Sequence, residues 1–172
     1  MTDGFASLSV TLIWLLRKIQ FCNSFYNCNS YSVLYNVVKR GTLMKQLEVV
    51  CGIIRQEHQV LIARRGKGVH ENMWEFPGGK VEPGETKEVA LVRELKEELD
   101  VDVKVDFFLQ DVMDVREDLC IHVSAYVCTL RKGIPTLHVH HEWKWVDKAT
   151  LNLYSFEPAD QCIIERVIGE VL

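Results

Sequence analysis

The chain has 172 residues, 48% of them hydrophobic and 26% charged, which suits one globular domain with a sizeable core and excludes a disordered, charge-rich polymer. The formal net charge of -4 is uneven: residues 1–43 carry Asp3 against Arg17, Lys18, Lys39 and Arg40, a balance of +3 that leaves -7 for the rest. An acidic body argues against broad nucleic-acid binding, which needs a basic face. Six cysteines with no C-x-x-C pair and no compact secreted framework read as scattered reduced thiols in a cytoplasmic protein.

Residues 1–43 differ from the remainder of the chain. Phe5 to Leu16 is an apolar run of about twelve, short of the roughly twenty residues that span a bilayer. Its positive charges, Arg17 and Lys18, come after the run, whereas a secretory signal places them before it. Phe21 to Tyr35 shows no period. The expectation is that Met44 is the natural start and that residues 1–43 are an N-terminal extension, disordered or not native. The alternative is a membrane-tethering hairpin, with a membrane contact the less favoured outcome. Residues 44–172 form the functional domain.

From Met44 the pattern is regular. Leu47 to Arg55 and Val60 to Arg64 are β-rich runs joined by the polar turn Gln56-Glu57-His58-Gln59, an antiparallel pair. The basic loop Arg64-Arg65-Gly66-Lys67-Gly68 is either solvated surface or, through Arg65, a phosphate-binding loop. Trp74-Glu75-Phe76-Pro77-Gly78-Gly79-Lys80 predicts a short strand breaking into a glycine turn, where backbone can approach a ligand. Thr86 then stands after the breaker run Glu82-Pro83-Gly84 as a helix N-cap, with Val89, Val92, Leu95 and Leu99 predicted to face inward. Glu94, Glu97 and Glu98 stand at i, i+3 and i+4, so a helix brings their carboxylates to neighbouring points. An arbitrary triplet of this kind is an exposed acidic face. Three or four hard oxygen donors, however, suit Mg²⁺ or Mn²⁺ better than zinc, and Arg93 can pair with a neighbouring glutamate.

Beyond the helix, Val101 to Phe108, Val112 to Val115 and Ile121 to Leu130 predict strands of a half-buried meander. Residues 138–141, His-Val-His-His, read as a solvated edge or loop in preference to a zinc set. Trp143, Trp145 and Val146 make a last strand. Pro158 to Val171 closes the chain as a helix burying Ile163, Ile164, Val167, Ile168 and Val171. The fold class is α/β, a mixed central sheet covered on each face by a helix.

The stretch Gly79 to Val101, GKVEPGETKEVALVRELKEELDV, resembles the Nudix box, G-x5-E-x7-R-E-U-x-E-E-x-G-U with U a bulky aliphatic residue. Gly79, Glu85, Arg93, Glu94, Leu95, Glu97, Glu98 and Val101 fall on the pattern. Asp100 stands where the family has glycine, in a turn after the helix; Asp is among the few residues that tolerate positive φ. The resemblance implies the Nudix α/β/α sandwich and hydrolysis of nucleoside diphosphates linked to another group. It implies Mg²⁺, with Mn²⁺ as an option, held by Glu94, Glu97, Glu98 and the Gly79 carbonyl, with Glu94 or Glu85 orienting or deprotonating the water. Arg93 is then structural.

Within the family the likeness is to MutT-type enzymes and covers nearly all of residues 44–172. It implies cleavage of a nucleoside triphosphate to monophosphate and pyrophosphate, with Phe76 and Asp160 lining the base pocket and Arg65 reaching the phosphate. The favoured substrate is an oxidised nucleotide such as 8-oxo-dGTP, a role in nucleotide-pool sanitation. The alternatives are CTP or a modified dCTP, or a non-catalytic nucleotide-sensing domain. The partner is a small-molecule nucleoside triphosphate with no nucleic acid, and the chain is a monomer or homodimer. Two positions depart: Val139 falls where many relatives carry a further glutamate, with Glu142 the nearby substitute, and Leu119 where some carry a substrate-binding arginine, with Arg116 nearby.

Overall fold

The computed structural model describes residues 45–68, 70–115 and 119–172. The expectations for residues 1–43, for Met44 and for Arg116 lie outside the described residues. The elements in order are β1 (Lys45–Gln56), β2 (Gln59–Arg64), β3 (Trp74–Glu75), β4 (Gly78–Lys80), α1 (Lys87–Leu99), β5 (Asp102–Val115), β6 (Leu119–Lys132), β7 (Glu142–Asp147) and α2 (Pro158–Glu170).

The sheet runs β3-β2-β1-β6-β5, with β4 also pairing β1 and β7 also pairing β2. It is mixed, since β1 and β6 are parallel from Lys45↔Leu119 to Arg55↔Thr129 while the other pairings are antiparallel. The predicted turn Gln56–Gln59 closes the β1–β2 hairpin, with Glu57 at φ 53. Because that hairpin pairs only at its tip, the middle of β1 is left to β4: Val50 faces Gly79 and Cys51 faces Gly78. This split pairing brings the glycine turn to the middle of the sheet.

Each face carries one helix, as the alternation of apolar residues requires. Val50, Ile54, Leu61, Tyr126 and Cys128 pack with Ala90, Leu91, Leu95 and Leu99 of α1. On the opposite face Ile53, Val60, Ile62, Val123, Ala125 and Val127 pack with Ile163, Ile164 and Val167 of α2. The half-buried meander is therefore corrected: Val123 to Cys128 are buried on both faces, and β6 has β1 as a parallel neighbour. The two strands expected between Val101 and Val115 are one, β5, whose register shifts take up the irregularity of its pattern.

Helix α1 begins as predicted, with Thr86 Oγ1 accepting from the Val89 N–H at 3.3 Å. It ends on Asp100 in the left-handed region at φ 53, with its N–H on the Lys96 carbonyl and its carboxylate 2.6 Å from Lys96 Nζ. The expected inward stripe is half wrong. Leu95 and Leu99 are buried, but Val89 and Val92 are 56% and 39% exposed, and Ala90 and Leu91 take their place. The cause lies across the interface at Gly52, where a Cβ would meet Leu95 Cδ1 at 2.9 Å and Leu91 Cδ1 at 3.3 Å. The absent side chain leaves room that Leu91 and Leu95 fill, which sets the roll of the helix. That roll turns Glu94 toward the protein and leaves Glu97 at the rim: their side chains are 15% and 60% exposed.

Among the described residues no helix is long and apolar enough to cross a membrane. The described cysteines Cys51, Cys120, Cys128 and Cys162 are free thiols.

The roll of α1 predicts unequal costs for apolar truncation along it. Leu95→Ala should lower the unfolding free energy by about 2–5 kcal/mol, the range for emptying a close-packed leucine site. Val89→Ala should change it by less than about 0.5 kcal/mol. Urea titrations followed by circular dichroism check both, and equal losses would contradict the packing described.

Candidate active site

The acidic helix, the glycine turn and the basic loop meet around one guanidinium and one cavity. Arg93, projecting from α1, contacts three carboxylates. Its Nη2 is 2.6 Å from Glu85 Oε1 and its Nη1 lies 3.0 Å from Glu94 Oε1 and 3.3 Å from Glu97 Oε2. Nε donates to Glu85 Oε2 at 3.3 Å, making the Glu85 contact two-pronged, and Nη2 also donates to the Lys80 carbonyl of β4 at 3.0 Å. A planar fork with five donors satisfies this set as an ammonium cannot. The hydrogen bonds from Arg93 lower the Glu85 pKa from its ordinary value. Glu85 Oε1 also accepts from the Glu82 N–H at 2.7 Å, so this carboxylate closes the loop ahead of the helix.

Glu94 packs directly on Gly79. A Cβ at residue 79 would overlap the Glu94 carboxylate, so the side chain that glycine lacks is replaced by the acid itself. One turn on, Glu98 accepts from the Gly78 N–H at 3.2 Å. Burial pushes Glu98 up to about 7, with Glu75 and Glu94 adding repulsion and His140 and Gly78 opposing it. The predicted residues Gly79, Glu94, Glu97, Glu98, Glu85 and Arg93 are thus brought together at the β4–α1 junction.

A cavity of about 430 Å³ opens beside this junction, lined by Gly78, Gly79, Lys80 and Glu98 at one end and by Arg65, Glu75, Phe76, Glu157 and Asp160 at the other. Phe76 is buried with its ring 5.5 Å from that of Phe156, so it is a wall packed from behind. Asp160 lies in the first turn of α2 and is buried. Its pKa is raised well above the ordinary carboxylate value, first by burial and then by Glu75 and Glu157, against a hydrogen bond from the Phe76 backbone. A carboxyl both donates and accepts in its protonated form and only accepts when ionised. Arg65 lines the cavity with its guanidinium held by Glu75 and by Glu157, the latter at 3.3 Å.

Glu142, weighed as a substitute for an acid at Val139, does not line the cavity; it pairs with Arg64 at 3.4 Å and Lys144 at 3.0 Å. Val139 itself is on the cavity wall. The His-Val-His-His stretch divides: His138 and His141 are exposed, as a solvated loop predicts, but His140 is buried and bonded to Glu75. Glu75, Glu157 and His140 are site residues that the sequence did not single out. Glu75 sits inside the Trp74–Lys80 run, where no local pattern gives it a role, because its partners come from the loop after β2 and from the loop before β7.

Among the described residues no three Asp, Glu, His or Cys side chains converge tightly enough to hold a metal ion as they stand. The donors nonetheless fit a hard divalent cation in chemical type: carboxylates on one flank of α1 beside the exposed backbone of Gly79, with no thiolate among them.

Residues 44–167 match the family described as NUDIX domain. The chain is 34% identical to CTP pyrophosphohydrolase of Escherichia coli K12 over 127 residues, covering 73% of this chain and 94% of that protein. It is 33% identical to 8-oxo-dGTP diphosphatase of the same strain over 126 residues, covering 72% and 98%. The solution structure of the E. coli ORF135 protein superposes with a TM-score of 0.66 at 33% identity, covering 75% of this chain and 94% of that one. The family match runs from the residue before β1 into α2 and takes in every element that shapes the cavity: the chain belongs to the Nudix hydrolases.

Proposed function

We propose that the protein hydrolyses (deoxy)nucleoside triphosphates to the monophosphate and pyrophosphate with the help of Mg²⁺ or Mn²⁺, and that it clears oxidised nucleotides such as 8-oxo-dGTP. The observation that carries this reading is the Arg93 clamp, which holds Glu85, Glu94 and Glu97 together against their mutual repulsion next to a cavity that ends in a buried Phe76–Asp160 pair. The relative named 8-oxo-dGTP diphosphatase supports the substrate. A second reading, CTP or a modified dCTP as substrate, is favoured by the relative named CTP pyrophosphohydrolase. The intact glutamate set argues against a domain that only senses nucleotides.

When bound, the cation neutralises phosphate charge and acidifies a water. Glu94, Glu97, Glu98 and the Gly79 carbonyl are the groups we assign to hold it. Glu94, fixed against Gly79, orients the water and takes its proton. Glu85, with both oxygens on Arg93, keeps the clamp closed. At the other end Asp160 hydrogen-bonds the edge of the base while Phe76 lies against the ring. Arg65 reaches a phosphate oxygen by releasing one of its two glutamates. Free thiols and an acidic body support a cytoplasmic protein acting on small molecules.

A panel of triphosphates with Mg²⁺ and pyrophosphate detection tests the activity and ranks the bases. Glu94→Gln should keep the parental circular dichroism and lower turnover by about a hundredfold or more. Chelation should abolish the parental activity, and parental rates in either case would contradict the assignment.

Asp160→Ala should raise KM for the preferred triphosphate and flatten the ratio of kcat/KM between oxidised and normal nucleotides, because a buried group built to pair with a base rejects one that leaves it unpaired. Stability should respond differently. A carboxyl whose folded-state pKa is raised binds its proton more tightly in the folded protein, so stability falls as pH climbs from the unfolded value of about 3.9 toward the folded one. Asp160→Asn removes that titration. Its melting temperature should exceed the parent's most at neutral pH, with the gap closing toward pH 4; a gap independent of pH would contradict the buried carboxyl.

We also propose that residues 44–172 suffice for the activity. A chain beginning at Met44 should fold and keep the parental kcat/KM; loss of soluble, active protein would refute it.

A further inference from the structure

His140 is 8% exposed, and its Nδ1 is a buried side-chain nitrogen without a hydrogen-bond partner, a condition shared among the described residues only with Arg64 Nε. Such an atom is costly, and a loop histidine has solvent within easy reach, so its burial calls for a cause. The loop between β6 and β7 is fastened at both sides of the cavity. The His138 N–H donates to the Glu98 carbonyl at 3.3 Å and the Thr136 N–H to the Leu99 carbonyl at 2.8 Å, while the His141 N–H donates to the Arg64 carbonyl at 2.9 Å. The backbone thereby ties the imidazole to the end of α1 and to the start of the basic loop.

The side chain makes the complementary link. Nε2 is 2.9 Å from Glu75 Oε1, and a carboxylate only accepts, so Nε2 carries the hydrogen. The other Glu75 oxygen takes the Arg65 guanidinium. Glu75 is the charge felt at both ends of the cavity, by Glu98 and by Asp160. A glutamate beside two other acids settles away from them unless its rotamer is held, and Arg65 and His140 hold it from its two oxygens.

We propose that His140 is a positioning residue of the nucleotide cavity. Its Nε2–H and the Arg65 guanidinium fix the Glu75 carboxylate, and Glu75 so fixed sets where Arg65 meets the ligand and how far its own charge stands from Glu98 and Asp160. The proposal rests on the nucleotide-hydrolase reading for the identity of the ligand. A histidine that merely plugs the loop would do none of this, since only its shape would matter.

The test compares the full chain with His140→Phe, which keeps bulk without an N–H, and His140→Gln, whose amide can donate to Glu75. KM and kcat are measured for the best triphosphate, and the dissociation constant of its monophosphate is measured by calorimetry without metal. His140→Phe should raise KM and the monophosphate constant about tenfold, the range for losing a hydrogen bond to a charged group, with kcat falling far less. His140→Gln should recover most of the loss. A Phe variant with parental KM and monophosphate binding overturns the proposal, as does a Gln variant as impaired as Phe. Imidazole ¹⁵N spectra of the parent give a check that needs no His140 variant: Nε2 should be the protonated nitrogen and its resonance should move in Glu75→Gln. An Nδ1–H tautomer, or a resonance indifferent to Glu75→Gln, also overturns it. If the parent turns over no triphosphate the hydrolase reading fails, and the spectra and monophosphate binding still decide the role of His140.

Discussion

Carboxylates that share a helix face repel, and the structure around α1 is organised by how that repulsion is contained. Arg93 contacts Glu85, Glu94 and Glu97 at once, and its remaining donor reaches the Lys80 carbonyl, so one guanidinium binds the loop before the helix, the helix and β4. Glu98 is outside that clamp. It rests on the Gly78 N–H, and burial raises its pKa to about 7. Glu94 and Glu98, on the same flank, therefore have different environments, the first against the Arg93 guanidinium and the second against a backbone N–H and His140.

Everything that supports this cluster comes from the split pairing of β1. Its tip forms a hairpin with β2, its middle pairs β4, and its other edge runs parallel to β6. Pairing with β4 places Gly78 and Gly79 beneath α1, and Gly52 on the same strand lets Leu91 and Leu95 settle close. The packing core and the site are thus set by one strand. A shift of that strand by one residue would move both, because side chains alternate between faces.

The cavity has a gradient of character along its length. Near α1 it is lined by backbone and by Glu98; near α2 it is lined by Phe76, Asp160 and Glu157, with Arg65 drawn to that end by Glu75 and Glu157. On the proposed reading Arg65 is therefore shared between acids of the protein and a phosphate of the ligand, and its affinity for that phosphate is the difference between the two. The acids that hold it also add to burial in raising the Asp160 pKa, so the two groups are electrostatically linked.

Much of this was legible in the sequence because it depends on local order. Spacing alone brought Glu94, Glu97 and Glu98 to one side of a helix, Thr86 marked its start, and the apolar runs gave the closing helix and most of the strands, with β5 read as two. Local rules do not choose between apolar residues on adjacent faces, however, so Val89 and Val92 were taken for core while Ala90 and Leu91 held those places; a glycine 39 residues away, Gly52, made the choice. For the same reason no pattern in the chain gave Glu75, Glu157 or His140 the role it has in the fold. Each is an ordinary polar residue in its own segment, and each gains its significance from a distant partner that only the fold brings within reach, 65 positions away for Glu75 and His140 and 92 for Glu157 and Arg65.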